Sequence, residues 1–136
     1  MSSAETRNVP RSHAPQSLAK SIEFSESAQS ALGSRRWNSA GLDAVHSGIA
    51  AADAVLIEVA GVRSVSKDHG AVIGLLDSLV PAFAATQRRQ LTGLLKMKNQ
   101  VAYEQRPLTE TEARQLVDQA TRLAKWAAGI VTAERP

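Results

Sequence analysis

Apolar positions recur at helical spacing from Ser17 onward: Leu18, Ile22, Ala28 and Leu32 with Ser25 in register, opposed by Lys20, Glu23 and Glu26. With Gly33 as a stop, this predicts a first helix over 17–33. A second helix, capped by Asn38 or Ser39, carries Leu42, Val45, Ile49, Val55, Leu56 and Val59 among many alanines until Gly61. Ser66 and Asp68 cap a third, short helix with Val72, Ile73, Leu75, Leu76 and Leu79, closed by Pro81. A fourth begins near Thr86 with Leu91, Leu94 and Leu95 on one side and turns polar before Pro107. Thr109 and Glu112 form a capping box ahead of Ala113, Leu116, Val117, Ala120, Leu123 and Ala127, which predicts a fifth helix over 110–133.

No stretch alternates apolar and polar residues between hairpin turns, so the fold class expected is all-α. Short connections imply antiparallel neighbours in an up-and-down bundle of four to five helices. Residues 1–16, with Val9 as almost their only bulky apolar side chain, are expected to form a mobile tail; residues 17–136 form the domain.

At 136 residues the chain suits one domain with one core. Absence of cysteine excludes disulfide frameworks, thiolate zinc sites and Cys nucleophiles. No uninterrupted apolar run reaches the roughly 18 to 20 residues of a membrane span, and no signal core occurs near the start, so a cytoplasmic protein without a membrane partner is expected. No His, Asp and Glu set has metal-helix spacing, and no P-loop or dinucleotide fingerprint occurs, so neither metal nor cofactor is expected.

Net charge is only +3, but its distribution is uneven. Between residues 86 and 106, Arg88, Arg89, Lys96, Lys98 and Arg106 face only Glu104, a local charge of +4 that leaves −1 for the rest. Such a patch is either a phosphate-binding surface or a solvated helix face. Lys98 shares a helical stripe with Leu91, Leu95 and Ala102, whereas Asn99 and Tyr103 are i, i+4 neighbours on an adjacent face.

The order of these parts resembles the HEPN family. The likeness spans roughly residues 17–133 and is carried by the run A-V-H-S-G-I-A-A-A-D-A-V-L at 44–56 before Gly61, by Lys67-Asp68-His69, and by K-N-Q-V-A-Y-E at 98–104 ahead of a capped last helix. The resemblance implies a four- or five-helix homodimer, and in many members a metal-independent ribonuclease of toxin–antitoxin, defence or RNA-processing systems. The family motif is Arg, a polar neighbour, then His after four to six positions. Here Lys98 stands at the Arg place, Asn99 at the polar place and Tyr103 at the His place, making these three the catalytic candidates. Lysine lacks the planar fork of arginine. Tyrosine, with a reference pKa of about 10, is a poor base near neutrality compared with histidine.

Five positions rotate a straight helix by about 500°, so Lys98 and Tyr103 point about 140° apart. A composite site then needs a bend or a second subunit, and the dimer implied by the family supplies one, with its axis near the fourth helix. Some family toxins carry, two residues after the His, a tyrosine that a nucleotidyltransferase modifies; Gln105 occupies that place here.

His46, with Asp43 and Asp53 along the same helix, is an auxiliary candidate for the missing histidine or else a hydrogen-bonded interior residue. His69 suits a neutral residue in the first turn of the third helix. Trp37 and Trp126 either close the ends of the bundle or stack on bases. Two function classes therefore remain. The first is an RNA-engaging HEPN-like homodimer with Arg88, Arg89, Lys96 and Arg106 as nucleic-acid-binding support. The second is a nuclease-inactive module that binds a protein partner such as a nucleotidyltransferase or a defence protein.

Overall fold

Short connections decide the architecture. A computed structural model describes residues 5–66, 68–103 and 106–133. Helices α1 (Ala14–Gly33), α2 (Trp37–Ala60), α3 (His69–Leu79), α4 (Ala85–Tyr103) and α5 (Glu110–Val131) account for most of it. The all-α class expected from the sequence is what the chain adopts.

The turn between α1 and α2 is not made by Gly33, which lies within the last turn of α1. Arg35 instead adopts the left-handed conformation at φ 61°. Its N–H donates to Leu32 O at 3.0 Å and the Arg36 N–H donates to Ala31 O at 2.9 Å. That is the Schellman pattern with arginine where glycine is usual. Gly61 does end α2 as its position predicts, at φ 66° with its N–H on Ile57 O. No side chain caps the start of α2; Asn38 Oδ1 accepts from Leu108 N at 2.8 Å instead, tying α2 to the start of the last helix. Asp68 caps α3 by accepting from Gly70 N, and the Thr109–Glu112 capping box starts α5.

Named contacts give the helix directions. Ser21 meets Ser47 and Phe24 meets His46, so α1 runs antiparallel to α2. Gly48 faces Leu94 and Leu123 while Gly41 faces Val101 and Leu116, so α2 is antiparallel to α4 and parallel to α5. Parallel helices occupy a diagonal of an up-and-down bundle. Here the α2–α5 diagonal is short and α1 and α4 lie on either side of it without touching. Small residues make the short diagonal: Ala40, Ala44, Ala51 and Ala54 on α2 are 0% exposed, as are Ala113, Ala120 and Ala127 on α5. A Cβ at Gly48 would lie 2.6 Å from Leu94 Cδ1.

Two expectations are corrected. The described part of the tail is structured: β1 (Thr6–Asn8) pairs antiparallel with β2 (Val62–Ser64), Val9 N donates to Gly61 O, and Ala14 is fully buried. Backbone hydrogen bonding holds it where side-chain apolarity could not, and the domain therefore begins before residue 17. In addition, α2 is long and apolar enough to cross a membrane by length and composition, and most of that stretch is buried within the bundle. Its apolarity follows from its position, since α2 packs against each of the other four helices.

Candidate functional site

A cavity of about 200 Å³ opens where the C-terminal half of α2, strand β2, the start of α3 and the polar half of α4 meet. Ile49, Ala52, Val72, Leu91 and Leu95 make its apolar wall, and Asp53, Arg63, Ser64, Ser66, Asp68 and Lys98 supply polar groups. Each arrives for a local reason. The Leu91, Leu95 and Lys98 stripe of α4 follows the helical repeat, so burying its leucines turns Lys98 inward over the cavity. Gly61 redirects the chain into β2, which sets Arg63 and Ser64 beside α2. Asp68 is held at the end of α3 by its cap.

Asp53 is a carboxylate inside an apolar helix, and burial pushes its pKa up to about 6, with Arg63 and then Lys20 pulling in the opposite direction. Burial therefore outweighs the two cations, and the group titrates close to neutrality. Lys98 is half-buried and makes no ion pair among the described residues. A guanidinium, an ammonium and a carboxyl able to exchange a proton near neutral pH thus share one enclosure. That set can hold an anion and accept or return a proton.

The other expected residues are placed as follows. The side chains of Asn99 and Tyr103 lie outside the described residues, as do Lys67, the His69 side chain and Gln105. Arg89 and Lys96 are exposed on α4 and make no ion pair among the described residues. Arg88 is engaged twice, by an ion pair to Asp77 and by a cation–π contact of its guanidinium with the Phe83 ring, 5.6 Å from the centroid. Arg106 forms a bidentate pair with Glu112, at 3.0 Å for both bonds. Its hydrogen bonds, followed by the Thr109 backbone, hold the Glu112 carboxyl down at about 2. Two of the four supporting cations therefore have carboxylate partners, because α3 and α5 bring acids that the window 86–106 does not contain.

His46 is not interior and does not line the Lys98 cavity. It is exposed, stacks on Phe24 at 5.2 Å between centroids, and lies outside the cavity wall. It lowers the pKa of Asp43, against a larger rise from burial. Trp37 and Trp126 are half-buried against the core, and Trp126 tilts against Phe83 at 6.0 Å, as end-closing residues do.

Asp53 and Arg63 were not assigned to the site from sequence. Asp53 carried a signal, being the single acid within the apolar run 44–57. Arg63 carried none, since a three-residue strand is too short to show a period. No model of a known protein family matches the chain, and no curated protein matches it.

Proposed function

We propose that the chain is a HEPN-like homodimer that engages RNA at the Lys98 cavity. The observation that supports this most is the sharing of one enclosure by Lys98, Arg63 and Asp53. Against the family motif, Lys98 and Tyr103 replace arginine and histidine. Arg63 restores a planar guanidinium for phosphate, and Asp53 restores a proton acceptor matched to neutral pH. Arg89 and Lys96 extend the positive field along α4. Cleavage at this site is metal-independent transesterification. Asp53 takes the proton of a ribose 2′-hydroxyl, the 2′ oxygen forms a bond to phosphorus, the bond to O5′ breaks, and the leaving oxygen takes a proton from solvent. Asn99 and Tyr103 orient the strand from the same helix, and the partner protomer contributes its copy across an axis near α4.

The test is incubation of purified protein with mixed RNA in excess EDTA beside Lys98→Ala, Asp53→Asn and Tyr103→Phe variants. Loss of cleavage in the first two is expected, with an acidic limb near pH 6 in the wild type. Cleavage that survives Lys98→Ala overturns the assignment. Salt-sensitive binding without cleavage reduces it to an RNA-binding module. Light scattering at the same concentrations checks the dimer.

The engagement of Arg88 by Asp77 and of Arg106 by Glu112 favours a second reading, the nuclease-inactive module that binds a protein such as a nucleotidyltransferase. Absence of both RNA binding and cleavage selects it.

A further inference from the structure

The β1–β2 ladder sets Arg7 directly opposite Arg63. Directly opposed residues of an antiparallel pair project on the same face with Cβ atoms about 5 Å apart, and like charges in that arrangement repel. Both arginines border a cleft of about 360 Å³ beside Asn8, His13, Gln16 and Ser17, and no carboxylate lines it. The Arg7 side chain makes no hydrogen bond or ion pair among the described residues. Asp53, the carboxylate that senses Arg63, belongs to the neighbouring Lys98 cavity.

The start of α1 adds to the same field. Its N-cap, His13, makes no side-chain cap hydrogen bond, and its first turn holds no acidic residue. The first N–H groups of α1 are engaged by the turn ahead of it, His13 N on Pro10 O and Ala14 N on Arg11 O, so the helix end contributes its dipole to the field of the paired arginines rather than a row of free donors. Two guanidiniums opposed across a ladder, beside a cleft that no carboxylate lines, are relieved by an anion. A planar guanidinium matches the oxygens of phosphate in bidentate fashion, and two of them grip one phosphate from two sides.

We propose that this cleft is a second, phosphate-binding site, with Arg7 and Arg63 as the clamp and His13 and Ser17 at its rim. The ligand is a phosphate group, carried by a free small molecule or by a nucleic-acid backbone. The site holds whether or not RNA engages Lys98, although Arg63 borders both cavities and makes them neighbours.

The test uses the full chain at fixed ionic strength, with two probes: inorganic phosphate, and a short single-stranded RNA lacking terminal phosphates. Calorimetry is expected to show phosphate binding that falls about tenfold or more in Arg7→Gln and is unchanged in Arg122→Gln, an exposed arginine of α5 outside both cavities. Phosphate raises the melting temperature of the wild type and not that of Arg7→Gln, and in chloride the variant melts no lower than the wild type, because a repulsive contact has gone. If phosphate fails to bind but the RNA binds and weakens in Arg7→Gln, the site is supported with a backbone diester as its ligand. Equal binding of both probes by wild type and Arg7→Gln overturns the proposal, as does binding of neither. RNA binding that is lost in Lys98→Ala and intact in Arg7→Gln overturns this site while leaving the Lys98 reading in place.

Discussion

The two sides of α2 are built from different materials. Toward α1 and α5 it presents Ala40, Ala44, Ser47, Ala51 and Ala54, all buried, while Gly41 and Gly48 admit Leu116 and Leu123 of α5 together with Val101 and Leu94 of α4, and the helices approach closely. Polar groups on that side satisfy one another. Ser21 Oγ donates to Ser47 O and Ser47 Oγ donates to Ser21 O, each at 2.8 Å, a reciprocal bond between two fully buried serines. Toward β2, α3 and α4 it presents Ile49 and Asp53 to a cavity walled by longer side chains. On that flank and the adjoining α4–α5 seam, Gln90 Oε1, Gln100 Nε2 and Gln119 Oε1 are buried without a hydrogen-bond partner among the described residues. The difference teaches where chemistry can reside. Small residues allow contact so close that no ligand enters, whereas a short strand and a short helix leave room and bring charge into it.

Truncation on each side measures the contrast most strongly. Leu123, 2% exposed on α5 along its contact with α2, is expected to cost about 3 to 5 kcal/mol as Leu123→Ala, because the close-packed interior cannot collapse around the loss. Leu95→Ala enlarges an existing cavity that water reaches and should cost nearer 2 kcal/mol. Urea unfolding of both variants checks this, and equal losses would break the comparison.

Asp53 gives the next effect, and its sign is unusual. Its folded pKa of about 6 lies above its reference value of 3.8, so between those values the folded state holds more protons than the unfolded one. Stability is therefore greatest below about pH 4, falls as pH rises through 6, and is flat above. Asp53→Asn should stabilise by about 2 kcal/mol at pH 8 and by progressively less toward pH 4, read from urea midpoints across that range. Glu112 acts the other way: its stabilisation is present above its reference value of 4.5 and is lost as pH falls toward about 2. A stability profile for Asp53→Asn parallel to that of the wild type would remove the buried carboxyl from the account.

Smaller effects sharpen the picture. Ser47→Ala removes one bond of the reciprocal pair and should cost about 1 kcal/mol in thermal unfolding, since the Ser21 hydroxyl keeps its acceptor, the Ser47 carbonyl. Arg88→Ala, which breaks an exposed pair with Asp77, should leave the urea midpoint unmoved. A measurable shift there would show that the cavity flank depends on surface charge more than its packing indicates.

Much of the fold was legible before any coordinates. The capping box at Thr109, the Asp68 cap, Gly61 as a terminator and the five apolar repeats are local signals, encoded within a few residues of where they act. Arg35 was not legible, because its left-handed φ follows from the demand for a tight turn between α1 and α2 rather than from its own preference. Lys98 could be singled out by charge and spacing, and its stripe with Leu91 and Leu95 does face one cavity. The company it keeps could not. Arg63 arrives through strand pairing with residues 56 positions away, and Arg88 and Arg106 find acids on other elements.

The sequence by itself determined the helices, the caps of α3 and α5, the Gly61 stop and the cation at position 98, since periodicity, caps and composition act over one or two turns. Only the tertiary structure decided which charges remain available and which are paired, that His46 faces solvent, and that two arginines confront each other across a ladder. Those outcomes depend on distances between elements far apart in the chain, and electrostatic interaction is governed by separation and burial, neither of which is written in the order of residues.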